Sequence, residues 1–468
     1  MPSPTSSPSI SLCLIVRDEA AVLDACLRSV RDAVDEIVVV DTGSTDDTLA
    51  IARGHGAVIG HFLWVDDFAA ARNEALRLCT CDFVLWLDAD ERLAPGGAMA
   101  LREAVLGGGL DCGMLPLHAV RTAGASAEAV LSGAERQGVP TLVARLARRT
   151  PDLLWQGRVH ESWQDWMVAP GRRIGKVDAA ILHDGAAAEV RNPEARRSRN
   201  IALLRMRAAE EPDDVLSRGY LAVDLYNSGA RDEARGFAEE AMEILWRQSE
   251  TPAGIRQRGA AVHAVTAFGW GALVDGRHEA ARDAARLLRG RGSVHPNLAW
   301  LEGVAEENLA VRAEGLDRAA GLARAEAAYR EALAVEARVF AQAVVDDSRG
   351  PAIRVRIGTV RLQRGAPREA LELAEAALAL APGDGPAGLL RAEALIDLGR
   401  HPEALAMLEP MLAPTAADAW LLAAAAAMPC DPVTGRALLG RAHEMARDHL
   451  RGLHRLSRLN ALLAAGHG

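Results

Sequence analysis

The sequence predicts an α/β domain followed by an all-α solenoid of helical repeats. Three observations predict it. Short apolar blocks alternate with helix-spaced segments between Ser9 and about Leu93. After about residue 195 the composition turns to Ala, Leu, Arg and Glu, with a recurring Gly/Ala frame. A chain of 468 residues, 50% of them hydrophobic, is also longer than one ordinary domain and can fill two or three cores.

The elements follow in order. Residues 1–9 are rich in Ser and Pro and uncharged, which predicts a disordered tail. Ile10 to Val16 is a short apolar block with the character of a buried strand. Glu19 to Asp32 carries Val22, Leu23, Cys26, Leu27 and Val30 at helical spacing. Glu36 to Val40 is the next strand, Thr45 to Gly54 a helix, and Ala57 to Phe62 a strand. Ala69 to Leu78 is a third helix and Asp82 to Leu87 a fourth strand. Strands separated by helices of this length predict parallel pairing in an α/β layer.

Between about 90 and 190 the pattern is weaker. Gly107, Gly108, Gly109 and Gly133 mark turns, and Leu115 to Val120 and Thr141 to Ala147 read as strands. Trp155, Trp163 and Trp166 cluster in a chain with only 4% aromatic residues. They read either as core packing or as a wall facing a sugar or an acceptor.

The helical half repeats. Gly365, Ala370 and Ala377 recur as Gly399, Ala404 and Met411, a shift of 399 − 365 = 34 residues. Gly229, Ala234 and Ala241 fit the same frame, Gly276 with Ala281 fits it in part, and Ala325, Tyr329 and Ala332 match the second helix of another copy. Small residues let paired helices approach, and the glycine permits the turn. The unit resembles the tetratricopeptide repeat, and such units stack into a solenoid to bury their faces. The division expected is a tail at 1–9, an α/β domain at 10–190 and a repeat domain at 195–468.

Composition narrows the function. A formal charge of −10 argues against a general nucleic-acid binder. The six cysteines show no Cys-x-x-Cys spacing and read as reduced, mostly packing thiols. Leu12 to Val16 is too short for a signal-peptide core, and no stretch has the length of a membrane helix, so the expected location is the cytoplasm.

Three clusters fall where strands should end, the place where open α/β sheets bind ligands. The first strand ends in Arg17-Asp18-Glu19. The second ends in Asp41-Thr42-Gly43-Ser44-Thr45-Asp46-Asp47-Thr48, which puts Asp41 exposed at a strand tip, able to accept hydrogen bonds from a base or ribose, and Thr45 at the helix start as a cap. The same string also reads as a well-capped turn and nothing more. The fourth strand runs into Asp88-Ala89-Asp90-Glu91. If the chain stays extended, Asp88 and Asp90 point to one side and can present two carboxylates to a single Mg²⁺ or Mn²⁺.

The order of SLCLIVRDEAAVLDACLRSV, DEIVVVDTGSTDDT, WVDDFAAARNEAL and DFVLWLDADE carries more than any one string. Together they resemble family 2 glycosyltransferases of the GT-A (Rossmann-like nucleotide-diphospho-sugar transferase) fold. The likeness is close over about 10–93 and loose to about 190. The chain is most similar to a bacterial branch with C-terminal tetratricopeptide repeats that includes enzymes acting on bacteriocin-type peptides. The resemblance implies that Asp41 contacts the nucleotide, that Arg17 and Glu19 flank its pocket, that Arg72 of the Arg72-Asn73 pair lies near it, and that Asp88 and Asp90 form the DxD motif. Asp18 stands where the family often has Asn. Gly157-Arg158-Val159-His160-Glu161 is similar to the Gly-x-x-His-Glu segment of the branch.

Glu161 is the expected general base. His160 is a candidate for metal or phosphate, and His183 for the metal; both also read as structural. The cofactor implied is Mn²⁺ or Mg²⁺. The reaction implied is inverting transfer of one sugar from a nucleotide sugar, with UDP the expected nucleotide, to a peptide or protein acceptor held by the repeats. No Gln-x-x-Arg-Trp string of processive synthases is present. Two other readings stay open. One is a lipopolysaccharide-core or lipid-linked acceptor met by Arg191, Arg196, Arg197 and Arg199, which also read as a solvated helix face. The other is a non-catalytic repeat scaffold. A homodimer built on the solenoid is an alternative use of the repeats.

Overall fold

The computed structural model describes residues 7–186, 193–247, 261–338, 350–413 and 416–449. Residues 1–6 of the expected tail and Arg191 of the arginine string lie outside the described residues. The chain forms two compact units, the first reaching Ala264 and the second beginning at Val265.

The first unit is built on one mixed sheet. Strand β1 (Ile10–Val16) leads to α1 (Leu23–Ser29), β2 (Glu36–Asp41), α2 (Thr48–Gly54), β3 (Val58–His61), α3 (Phe68–Leu78) and β4 (Phe83–Trp86). Next come β5 (Glu91–Leu93), α4 (Gly97–Leu106), β6 (Cys112–Val120), α5 (Ala127–Ser132), β7 (Arg136–Arg148), α6 (Gln164–Met167), β8 (Ile174–Lys176) and β9 (Ile181–His183). The strands lie in the order β3-β2-β1-β4-β7-β6-β9-β5, with β8 against β6. β1 pairs in parallel with β2 and β4, and β2 with β3, as the strand–helix alternation predicts. Beyond β4 that alternation ends, and β7 runs antiparallel to β4 and β6. Six residues of α5 rise only about 9 Å, too little to carry the chain back along β6, which spans about 30 Å.

The central strand is buried on both faces. Ile10, Leu12, Leu14 and Val16 pack with Leu23 and Leu27 of α1 and Leu101 of α4. On the other face Cys13, Val38, Val40 and Val84 lie under Ala75 of α3. This is why a continuous apolar block, rather than an alternating one, marks β1. All six cysteines are free, and four of them are buried.

Two helices start later than the pattern suggests. α1 covers seven residues where Glu19 to Asp32 was expected, because Asp18 sits in the left-handed region (φ 54°) and turns the chain before the helix begins. α2 begins at Thr48, and Thr45 is not its cap; the Asp46 carboxylate accepts from the Thr48 amide at 2.9 Å.

Helices α7 (Pro193–Glu210), α8 (Val215–Asn227) and α9 (Arg231–Arg247) belong to the first unit, beyond the change in composition. Leu203, Leu204, Leu221, Leu225 and Ala234 form a core that also takes Val159. The division between units falls within α10 (Ala261–Val274).

The second unit is a run of antiparallel helices: α11 (His278–Arg289), α12 (Pro296–Arg312), α13 (Gly315–Arg338), α14 (Gly350–Gln363), α15 (Pro367–Leu380), α16 (Gly385–Asp397), α17 (His401–Leu408), α18 (Ala417–Ala427) and α19 (Pro432–His449). The repeat frame is explained by geometry. Gly229, Gly276, Gly365 and Gly399 all have positive φ (89°, 74°, 75° and 76°) at the turn between paired helices. Five residues on, Ala234, Ala281, Ala370 and Ala404 are each at most 2% exposed. In the stretch where the frame degenerates, buried glutamates hold the helices: Glu306 takes Arg286 and Arg324, and Glu326 takes Arg330, Arg361 and Arg364. Among the described residues no helix is long and apolar enough to cross a membrane.

One hairpin offers an internal control. Gly229 turns between α8 and α9 at φ 89°, whereas Gly236 is a helical glycine with open space around it. Gly229→Ala should destabilise by about 1–2 kcal/mol through left-handed strain, and Gly236→Ala should stabilise by about 0.5–1 kcal/mol. Urea unfolding of the whole chain reads both; shifts of the same sign would contradict this account of the frame.

Candidate active site

The tips of β1 and β2 are tied together. Asp18, in its left-handed conformation, accepts from the Thr45 amide at 2.7 Å, and its own amide donates to Ser44 Oγ at 3.0 Å. Asn and Asp both tolerate that backbone and both can accept there, so Asp keeps the geometry where the family often has Asn. The Glu19 amide donates to Thr48 Oγ1 at 2.8 Å. Arg17 and Glu19 both line a cavity of about 780 Å³, and Arg17 is exposed. Asp41 departs from expectation. It is 5% exposed, and its carboxylate turns back to accept from the amides of Gly43 (3.2 Å) and Ser44 (3.0 Å). The demand of that tight turn for acceptors pulls it inward, and Thr42 rather than Asp41 reaches the cavity wall.

The acidic motif is also rearranged. The strand stops at Trp86, and Asp88 to Glu91 form a turn closed by the Glu91 amide on the Asp88 carbonyl at 3.0 Å. Asp88 and Asp90 therefore do not share one side of an extended chain. Asp88 Oδ1 accepts from Arg72 Nη2 at 2.8 Å, and its Oδ2 lies 3.8 Å from Arg145 Nη2. Burial would push Asp88 up, but the charges of Arg72 and Arg145 outweigh it and hold the carboxyl below its usual range. Arg145 also pairs with the buried Glu91. Both guanidinium groups sit over the Trp86 ring, Arg145 at 3.4 Å and Arg72 at 4.3 Å from its centroid.

Asp90 goes elsewhere. The β5–β9 register sets Glu91 opposite His183, which brings His183 Nε2 to 3.5 Å from Asp90 Oδ2. Burial lowers His183, yet the hydrogen bond and charge of Asp90, with Glu91 and Asp88 nearby, raise it overall. Gly185 completes the corner: a Cβ there would fall 1.8 Å from Asp90 Oδ2 and 3.1 Å from His183 Nε2. Among the described residues no three His, Cys, Asp or Glu side chains form a ready-made metal cage. A carboxylate and an imidazole meeting over a bare α-carbon nonetheless fit a hard divalent cation that takes its other ligands from substrate phosphates.

The segment after the tryptophans is a closed loop. Gln156 and Ser162 pair antiparallel at its base, and Asn73 grips Trp155 through both its amide (2.9 Å) and its carbonyl (3.0 Å). Glu161, at the loop's end, accepts from Arg72 Nε at 2.6 Å. The Arg72-Asn73 pair thus holds this loop as well as Asp88. His160 points toward the helices, its ring stacked on Tyr220. Trp155, Trp163 and Trp166 are at most 4% exposed and form a core with Cys112 and Ala147, so packing accounts for them, although Trp155 and Trp163 also reach the cavity.

The cavity gathers Arg17, Glu19, Arg72, Asp88, Asp90, His160, Glu161 and His183. It adds residues that sequence reasoning missed, Trp86, Glu91, Arg145 and Asn200, and its wall also carries Arg196 and Arg199 of α7, two of the arginines read as a possible acceptor contact. A larger open groove of about 1030 Å³ near Asp24, Arg31 and His55 contains none of the expected site residues.

Comparison with known proteins finds two family matches on the chain. Residues 11–110 match the family described as Glycosyl transferase family 2, and residues 361–428 match Tetratricopeptide repeat. A TPR repeat-containing protein of Synechococcus elongatus is 43% identical over 34% of this chain and 36% of its own. The SPbeta prophage-derived glycosyltransferase SunS of Bacillus subtilis is 26% identical over 51% of this chain and 54% of its own. The chain thus spans from about a third to about half of the length of these curated relatives. Among solved structures, glucosyl-3-phosphoglycerate synthase of Mycobacterium tuberculosis is 19% identical over 42% of this chain and 78% of its own, with a TM-score of 0.29.

Arg72 is 6% exposed and bridges two carboxylates. Arg72→Met leaves the Glu161 carboxylate, only 11% exposed, without its arginine and should cost about 3–5 kcal/mol, read by chemical denaturation. The depressed Asp88 value sets a pH signature. The stability from its ion pair is complete above the unfolded carboxyl value of about 4 and is lost as pH falls through the lower folded value. Arg72→Met should flatten that acid limb; an unchanged limb would assign it to other carboxylates.

Proposed function

We propose, for a chain that carries a family 2 glycosyl transferase domain followed by tetratricopeptide repeats, that it transfers a single sugar from a nucleotide sugar to a peptide or protein acceptor, with inversion at the anomeric carbon. The observation that carries this reading is the convergence of two sets in one cavity: Arg72 with Asp88 and Glu161, and Asp90 with His183 beside Gly185.

Each residue has a part. Arg17 and Glu19 flank the donor at the end of β1, and Asp41 shapes the turn that receives the nucleotide. Asp90 and His183, with Asp88 beside them, hold Mn²⁺ or Mg²⁺, which neutralises charge on the departing diphosphate when bound. Glu161 acts as general base. Arg72 takes its Oε1, which leaves Oε2 for the proton of the acceptor. As the acceptor atom bonds to the anomeric carbon, the bond from that carbon to the diphosphate oxygen breaks, and its electrons leave with the nucleoside diphosphate. UDP as the nucleotide rests on the family resemblance, and a peptide or protein acceptor rests on the resemblance and the repeats. Arg196 and Arg199 on the cavity wall favour, as second reading, an acceptor with an anionic lipid-linked head group.

Donor binding is tested by thermal shift with nucleotide sugars, with and without Mn²⁺; ligand at 100 times its Kd stabilises by about 2.7 kcal/mol. No shift with any donor at millimolar concentration would sink the reading. Asp90→Ala and His183→Ala should each lower Mn²⁺-dependent donor turnover by about 100-fold or more. Gly185→Ala should do the same while every polar side chain of the site remains. Mass gain on co-expressed peptides, rather than on lipid, decides the acceptor.

A further inference from the structure

The Gly157–Glu161 loop is held by helices outside the α/β sheet. Its geometry is unusual at two positions: Gly157 has φ 94° and His160 has φ 50°. A left-handed His costs about 1–2 kcal/mol and persists only where the surroundings over-determine it. Those surroundings come from α7 and α8. Arg158 makes two hydrogen bonds to Glu210, each 2.5 Å. Val159 is 4% exposed among Leu203, Leu204, Leu221 and Leu225, and its carbonyl accepts from Arg207 Nη1 at 3.2 Å. Gly157 sits at φ 94°, where a side chain would be strained, and a Cβ there would also press on Arg207 Nη1 at 2.2 Å.

The ring of His160 is oriented by stacking. It lies 3.8 Å from the Tyr220 ring at an interplanar angle of 4°, and Tyr220 in turn meets His263 at 4.1 Å. His160 Nε2 is buried with no hydrogen-bond partner among the described residues. Burial first, then His263 and the nearby arginines, pushes the His160 imidazole down to about 3, so the ring on Tyr220 is uncharged. The next residue is Glu161, whose carboxylate meets Arg72. A column of contacts therefore runs from His263 through Tyr220, His160 and Glu161 to Arg72 and Asp88.

We propose that Tyr220 of α8 is a positioning residue for Glu161: by stacking on His160 it fixes the strained backbone from which Glu161 projects. This rests on the reading of Glu161 as general base. Misplacing a reacting group by about 1 Å costs on the order of 100-fold in rate.

The test uses the full chain with Mn²⁺ and the donor that gives the largest thermal shift. Tyr220→Ala should lower kcat for donor turnover by about 10- to 100-fold, leave donor KM and the nucleotide-induced thermal shift within about 2-fold of wild type, and speed hydrogen exchange at amides 158–162. Tyr220→Phe keeps the ring and should restore kcat and slow exchange. His160→Asn, which tolerates the left-handed backbone but removes the stack, should match Tyr220→Ala and serves if that variant does not fold. In a Glu161→Gln background, Tyr220→Ala should add less than about 2-fold, as residues acting as a unit do. The proposal is overturned if Tyr220→Ala keeps wild-type kcat, if it costs as much with Glu161→Gln as without, if Tyr220→Phe is equally impaired, or if nucleotide binding falls in parallel. Should Glu161→Gln itself retain full kcat, the base reading fails; unchanged exchange at 158–162 in Tyr220→Ala would then overturn the positioning role as well.

Discussion

The site depends on one guanidinium. Arg72 leaves the helix under the parallel half of the sheet, crosses the face of Trp86 and bonds a carboxylate at each end, Asp88 at 2.8 Å and Glu161 at 2.6 Å. A planar cation with several fixed donors can do this where an ammonium cannot. Burial alone would lower its proton affinity, and the charges of Glu161 and Asp88 outweigh that and raise it. The acidic turn and the 157–161 loop lie far apart in sequence, and Arg72 sets the separation between them. Arg145 repeats the device on the other side of the turn, between Glu91 and Asp88.

Two loop systems are arranged around this centre by backbone geometry and side-chain-to-backbone hydrogen bonds. The β1 and β2 tips are interlocked through Asp18, Ser44 and Thr45, so the pocket edge forms as a unit. The Asp90–His183 corner is set by the antiparallel register of β5 and β9 and by the absence of a side chain at Gly185. The acidic residues thus differ in their partners: Asp88 is bound to arginines, while Asp90 faces an imidazole.

What was legible in the sequence follows from how local each signal is. β1, β2 and β4 are parallel strands buried on both faces, so their β-branched and apolar blocks stand out to within a residue or two of the observed bounds. The Gly/Ala frame was legible because a positive φ and a close helix crossing each demand a particular residue. Asp41 was misread because a strand tip suggests exposure, while the turn beyond it consumes both carboxylate oxygens. The paired carboxylates were misread because the strand stops at Trp86 and the chain then turns from Asp88 to Glu91 instead of staying extended. Arg145 had no local signal: it lies on β7 and finds Glu91 only through antiparallel pairing across more than fifty intervening positions. His160 reads from sequence as either a ligand or a structural residue, and its stacking partner is on a helix that the composition assigned to another domain.

The inclusion of α7–α9 in the first compact unit changes how modular this protein is. The shift in composition near residue 195 invites the view of a transferase with an interchangeable recognition arm, to be cut or swapped at that seam. A cut there would strip the apolar cover from Val159 and Phe68 and leave Arg158 without Glu210. Grafting a different array of repeats onto this chain would therefore need a joint after α9, with the first hairpin retained as part of the first unit.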